Sequence, residues 1–317
     1  MLPMRAATIR EGKLVVAEHP DPQPGAGEVL VRVRAAGING ADIHQLAGRY
    51  PAPPGSPQDI PGLELAGEVA ALGPGATRFA EGDRVMSIVG GGGQAELCTV
   101  HERLLMPVPA GLSWPEAGGV PEVFTTAHDA LFTQGDLGVG ERLLVHGAAG
   151  GVGTAAVQLG VATGAHVTAT VRNPELRDRV VELGAHEVVE PDGFERLGPF
   201  DVVLELVGGP NLPGDLQALA ETGRLVVIGI GAGAKAEINL GALMGKRATV
   251  RASHLRNRSL EEKALTARAM ERHVLALFAR GALRVPVAAT FPLDAVAEAY
   301  ERFTAGGKLG KIVVEMA

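Results

Sequence analysis

The stretch Val145-His-Gly-Ala-Ala-Gly-Gly-Val-Gly-Thr154 ends an apolar run and opens an amphipathic segment. Strand, glycine turn and helix in that order make a dinucleotide-binding turn, because glycine lets a backbone approach a pyrophosphate and a helix pack closely on its sheet. Gly150 and Gly153 keep the paired spacing. Ala148 holds the first position of the usual three-glycine fingerprint, where its methyl asks for a slightly wider turn. Gly150, Gly151, Val152 and Gly153 are expected to set amides around a pyrophosphate at the helix N-terminus, where unpaired N–H groups and the helix dipole favour negative charge. Val157, Leu159 and Val161 supply apolar helix positions, and a second strand, Ala165–Val171, follows directly.

That second strand ends in Thr170-Val-Arg-Asn-Pro174. An acid here would favour NAD through the adenosine ribose, whereas a cation accepts the extra phosphate of NADP. Arg172, assisted by Asn173 and Arg177, therefore points to NADPH, since a guanidinium makes a forked contact with phosphate. A solvated surface arginine is the competing reading, and Glu190 would repel the phosphate if it pointed inward. Further along, Val202–Leu206, Arg224–Ile230 and Arg247–Ala252 read as strands, with Pro174–Leu183 and Leu212–Ala220 among the intervening helices. The alternation predicts a parallel sheet covered by helices. Val207, Gly208 and Gly229 fall at the carboxyl ends of the later strands, where open α/β sheets bind ligands.

Residues 1–120 differ in rhythm. Short β-like runs at Glu28–Ala36, Gly67–Leu72 and Asp83–Ile88 are broken by glycine and by the proline loops Asp21–Gly27 and Pro51–Pro61. This pattern suits a compact, mostly antiparallel domain. The tail contains a long helix candidate, Leu260–Ala279, a second helix, Ala295–Thr304, and a closing strand, Gly310–Glu315.

At 317 residues the chain accommodates two domains, and 46% hydrophobic content supports full cores. Net charge is −7, which argues against a general nucleic-acid surface. The single cysteine, Cys98, excludes an intrachain disulfide framework and a multi-cysteine zinc lobe. It lies in the alternating segment Gln94–Val100 and reads as a small core residue. His128, His146, His254 and His273 are dispersed without ligand spacing and read as surface or hydrogen-bonded packing groups. The N-terminus shows no signal-peptide pattern and no apolar run reaches membrane-span length, so a cytoplasmic, non-membrane protein is expected.

The chain resembles the zinc-free quinone oxidoreductase branch of the medium-chain dehydrogenase/reductase superfamily. The resemblance rests on Asn39-Gly-Ala-Asp42, Gly48-Arg-Tyr50, Pro61-Gly-Leu-Glu64, Glu81-Gly-Asp-Arg-Val85, the glycine turn, Val207-Gly-Gly209 and the tail Gly307-Lys-Leu-Gly-Lys-Ile-Val-Val314. It implies an α/β fold: a GroES-like, mostly-β catalytic domain from residues 1–123 and 262–317, and a Rossmann doubly wound parallel-sheet domain over 124–261. It also implies hydride transfer from NADPH to a small planar quinone or conjugated carbonyl, and assembly as a dimer or tetramer, of which a homodimer is expected. In zinc-dependent relatives a cysteine would stand at Asn39 and a histidine at Leu63. Neither residue here can replace those ligands, so no metal is expected.

The resemblance also makes Thr126 a candidate near the nicotinamide, with helix capping as the alternative. It sets Arg256 in a segment that passes the cofactor cleft, either as a cofactor contact or as a surface or subunit contact. Tyr50 and Asn39 are the expected catalytic, substrate-side donors, against loop anchoring and backbone bonding. Asp42 is expected to stabilise its own turn, and Lys311 to pack the closing strand. The nearest alternative activity is NADPH-dependent reduction of an α,β-unsaturated carbonyl or acyl thioester. A non-enzymatic NADPH-binding structural or RNA-associated role is the other.

Overall fold

A computed structural model describes residues 3–316. The chain folds into two compact units. One contains the residues up to Thr125, Leu255–Gly306 and the chain from Lys311 onward; the other contains Thr126–His254 and Gly307–Gly310.

The first unit is mostly antiparallel. A seven-stranded sheet runs Val287–Pro292, Lys311–Glu315, Glu28–Gly37, Glu64–Leu72, Arg84–Ile88 and Met106–Pro107, with Leu97–His101 also paired to Glu28–Gly37. Only the contact between Val287–Pro292 and the closing strand is parallel. Alternate residues of these strands, among them Val31, Val33, Leu65, Val85 and Val314, are buried in one core. The two-residue periodicity of a sheet thus accounts for the apolar pattern. A hairpin of Met4–Arg10 and Lys13–His19, not anticipated from the sequence, turns on Glu11 and Gly12, both at positive φ. Two left-handed residues suit the twist of a two-residue hairpin loop. Cys98 is buried in the core with its thiol pushed up to about 12 by burial, which fits a packing residue.

The second unit is a six-stranded parallel sheet in the order Glu187–Val189, His166–Thr170, Arg142–Val145, Phe200–Glu205, Leu219–Val227, Thr249–Ala252. Counted along the chain this is 3-2-1-4-5-6, the doubly wound arrangement with its switch point beside the first strand. Helix Gly151–Thr163 follows that strand and stops at Gly164, whose φ of 88° provides a left-handed C-terminal cap. The architecture is the α/β pairing of a mostly-β unit with a doubly wound parallel unit that the strand patterns predicted.

Local boundaries depart from the sequence reading. The expected helix Leu260–Ala279 is α-helical over Leu260–Met270 and Ala276–Ala279, with a π turn at Glu271–Leu275 between them. Periodicity does not distinguish such a wide turn from continuous helix. The segment Pro174–Leu183 divides into a 3-10 turn, Pro174–Leu176, and a short α-helix, Arg177–Val181.

Candidate functional site

In the parallel-sheet unit the glycine turn is built from conformational necessity. Gly147, at φ 63°, supplies the left-handed residue, so the tight turn falls one position before Ala148 and the alanine methyl is simply buried. This replaces the expected widening of the turn. A Cβ on Gly153 would lie 2.5 Å from the Gly147 carbonyl oxygen and 2.6 Å from Ala148 Cα, which explains why the helix can pack there only with glycine. Gly150 is different: its φ of −73° is ordinary, and its Cβ would meet only Gly147 O at 3.3 Å. The amides of Gly151, Val152 and Gly153 lie in the first helical turn, where no intrahelical carbonyl can accept them. That set of donors, with no side chain at position 150, fits the diphosphate of a dinucleotide.

Arg172 is exposed beyond the second strand, while Asn173 spends its side-chain oxygen on the Glu175 N–H at 3.1 Å. Arg177 donates to the Val171 carbonyl at 3.1 Å, and its guanidinium lies 3.9 Å from Glu190. Glu190 thus has a cation beside it. Thr126 lies within helix Pro121–His128 and not at its N-cap.

The sequence reading missed a buried polar cluster beneath the turn. His146 Nε2 is 2.8 Å from Asp215 Oδ1, and His146 Nδ1 is 3.0 Å from the Thr170 hydroxyl. Glu205, at the carboxyl end of the fourth strand in chain order, completes the cluster. Its Oε1 accepts the N–H groups of Val207 and Gly208, the latter at 2.7 Å, and its Oε2 accepts the Asn211 amide at 2.9 Å. Burial raises the Glu205 carboxyl above its usual range, against the pull of His146. The Val207 and Gly208 amides are therefore taken up by Glu205. Gly208 has φ 128°, and a Cβ there would meet Gly233 O at 2.6 Å. A Cβ on Gly229 would collide with the Leu206 backbone. Both glycines serve close loop packing.

In the antiparallel unit a second buried cluster gathers Asn39, at a position where zinc-dependent relatives would hold a ligand, with Glu64 and Lys311. Lys311 Nζ is 2.6 Å from Glu64 Oε1, donates to Asn39 Oδ1 at 2.7 Å and reaches the Ile38 carbonyl at 3.0 Å. Asn39 Nδ2 donates to Glu64 Oε1 at 2.9 Å and makes a longer contact, 3.4 Å, with Gly37 O. Glu64 Oε2 takes the Glu122 N–H at 2.8 Å. Leu63 is buried and has no ligand atom. Asp42 accepts the N–H groups of Asn39 at 2.8 Å and Gly62 at 3.1 Å, as a turn-stabilising residue should. Burial pushes its carboxyl up to about 7.

Tyr50 and Arg256 lie together in this unit. The guanidinium is 5.0 Å from the centre of the Tyr50 ring and donates to Tyr50 O at 3.0 Å, Gly90 O at 2.9 Å and Gln45 Oε1. Arg256 is thus buried, with one bond from each guanidinium nitrogen made inside the antiparallel unit, which does not fit an exposed surface contact. Desolvation raises the Tyr50 hydroxyl above its ordinary value, keeping it protonated.

Comparisons with known proteins agree with these two units. The alcohol dehydrogenase GroES-like domain family matches residues 25–110, and the zinc-binding dehydrogenase family matches residues 183–314. The chain is 32% identical over 304 residues to a quinone oxidoreductase of Lama guanicoe, covering 92% of this chain and 90% of that one. It is 38% identical over 208 residues to a polyketide synthase, GfsB, of Streptomyces halstedii, covering 64% of this chain but 4% of the synthase. The crystal structure of an alcohol dehydrogenase superfamily protein from Novosphingobium aromaticivorans matches at TM-score 0.86 and 30% identity, covering 99% of this chain and 100% of that chain. With Asn39 and Leu63 at the ligand positions and Lys311 between Asn39 and Glu64, the chain belongs to the zinc-independent, quinone-oxidoreductase-like branch of the medium-chain dehydrogenase/reductase superfamily.

Proposed function

We propose that this protein transfers hydride from NADPH to a quinone or a comparable conjugated carbonyl. The observation that carries the reading is the Asn39–Glu64–Lys311 cluster. Its donor set includes neither thiolate nor imidazole and already encloses a side-chain cation, so the acceptor must arrive electron-poor. Quinones and enones satisfy that condition. A bound nicotinamide supplies the hydride, and the chain supplies position and charge.

The first-turn amides of Gly151, Val152 and Gly153 hold the diphosphate, Gly150 permits its approach, and exposed Arg172 takes the adenosine phosphate. Tyr50 presents a protonated hydroxyl to the developing oxyanion, with Arg256 fixing its ring. Asn39 orients the acceptor or the nicotinamide ribose through the amide hydrogen that makes only the long contact to Gly37. Thr126 contacts the nicotinamide end. An α,β-unsaturated acyl group is the second reading, kept because part of a polyketide synthase matches 208 residues of this chain.

A homodimer belongs to the same reading. Edge strand Thr249–Ala252 is exposed along its length, and Met244 and Leu240 nearby in sequence are 76% and 63% exposed. An unpaired, partly apolar edge is a pairing surface. Sedimentation velocity should show two copies, and a monomer would reject the assembly.

Turnover with matched quinones and enones, each with NADPH and NADH, tests the activity. Tyr50→Phe should leave NADPH affinity intact and lower kcat, while Tyr50→Ala should also raise KM for the acceptor. No turnover of either acceptor class, or wild-type kinetics in both variants, would remove the respective assignment.

A further inference from the structure

A buried ammonium surrounded by oxygen acceptors is costly unless each charge is met, and here the surroundings are built around it. Lys311 Nζ has three oxygen partners, contributed by Glu64, Asn39 and the Ile38 carbonyl. Glycines keep the lysine chain's path clear. A Cβ on Gly37 would collide with the Glu64 carboxylate and lie 2.8 Å from Lys311 Cε, and one on Gly119 would approach Lys311 Cγ at 3.2 Å. Both Lys311 and Glu64 are at most 3% exposed.

This arrangement fixes the Asn39 amide by chemistry alone. An ammonium only donates and a carboxylate only accepts. The amide oxygen must therefore face Lys311 and its NH₂ must face Glu64. A flipped amide would set N–H against N–H and oxygen against oxygen. Removing the cation removes the donor that holds the amide oxygen and leaves the orientation to the Glu64 contact alone.

We propose that Lys311 is a positioning residue whose ammonium orients Asn39 for the reaction, and that truncating it opens a binding site for a small primary alkylammonium ion. The role assigned to Asn39 rests on the proposed function, whereas the cation site does not. Lys311→Ala deletes the atoms from Cγ to Nζ, which n-propylammonium restores one for one. Tetramethylammonium carries the same charge but no N–H donor.

The test compares wild type, Lys311→Ala and Lys311→Met with n-propylammonium, tetramethylammonium and sodium chloride at matched ionic strength. In Lys311→Ala, n-propylammonium alone should raise Tm saturably, with no such effect on wild type. In both variants kcat should fall about 10- to 100-fold with NADPH affinity retained. The amine should restore kcat in Lys311→Ala over the concentration range that restores Tm. Independent of any acceptor, the Asn39 side-chain NH₂ resonances, assigned with Asn39→Asp, should show slow hydrogen exchange in wild type. They should exchange fast in Lys311→Ala and slow again with the amine.

Wild-type kcat in both variants would overturn the proposal, as would amine-dependent stability without recovery of kcat or of Asn39 protection. Failure of both variants to fold with the amine present would assign Lys311 to folding alone and also overturn it. If wild type reduces neither quinones nor enones, the proposed function fails, while the Tm and exchange measurements still decide the cation site.

Discussion

His146 Nε2 and Asp215 Oδ1 are 2.8 Å apart, with both side chains fully buried one residue before the glycine turn and on the helix Leu212–Ala218. Asp215→Ala would leave a buried imidazole nitrogen without its acceptor. The expected loss is about 1–3 kcal/mol of unfolding free energy, before any cavity term. Urea unfolding of the single variants and of the double variant with His146→Phe would measure the coupling. Additive losses would show that the two side chains do not depend on each other.

Gly150 and Gly153 of the turn should fail in different ways. Gly153→Ala forces a methyl onto the Gly147 carbonyl and Ala148 Cα, so Tm should fall. Gly150→Val finds an ordinary φ and one neighbour at 3.3 Å, so the fold should persist while NADPH affinity drops at least about tenfold. Calorimetric titration beside a thermal melt separates the cases. A folded Gly150→Val with unchanged affinity would move the diphosphate elsewhere.

Arg172→Ala should weaken NADPH more than NADH, by about 1–3 kcal/mol for a lost charge-assisted contact. Glu190→Gln should do the reverse, since it leaves Arg177 without its acidic neighbour at 3.9 Å. Dissociation constants for both cofactors at fixed ionic strength check both expectations. Equal losses for the two cofactors in Arg172→Ala would assign that residue to general electrostatics.

Asp42 should give stability a distinct pH dependence. Burial lifts its carboxyl from 3.8 to about 7, helped by Glu64 and opposed by Lys311 and by the Asn39 and Gly62 N–H groups. Tyr300 and Arg256 also lie within its electrostatic reach. The folded state holds this proton more tightly than the unfolded chain, so the contribution is complete below about pH 4 and is lost as pH rises toward about 7. The slope reaches at most about 1.4 kcal/mol per pH unit for one proton. Asp42→Asn should flatten that interval while carrying a constant cost for one unmatched N–H. An unchanged slope in denaturant titrations would place the ionisation elsewhere.

The glycine turn was legible because its determinants are contiguous: strand, left-handed residue, small residue and helix follow one another between 142 and 163. The Lys311 cluster was not, because Asn39, Glu64 and Lys311 come from three distant parts of the chain and meet only when the closing strand pairs with Glu28–Gly37. Its sequence reading as a packing residue gave its place but not its ammonium's partners. His146 looked isolated for the same reason. Parallel strands bring their carboxyl ends together, so His146 meets Glu205 and Thr170 without any sequence spacing to announce it. For Arg256 the resemblance of its segment left cofactor and surface or subunit contact open, and the Gly90 and Tyr50 carbonyls that bind its guanidinium lie far away in sequence.

The cation among Ile38, Asn39 and Glu64 also constrains how this protein can change. Placing cysteine at 39 and histidine at 63 would bring metal donors beside a space that already contains positive charge and its counter-ion. Each such substitution taken alone would strand Lys311 or add a buried group without a partner. Losing Lys311 alone would leave the buried Glu64 carboxylate without its cation, held only by the Asn39 amide and the Glu122 N–H. A zinc site at this place would therefore require the lysine and both ligand positions to change together.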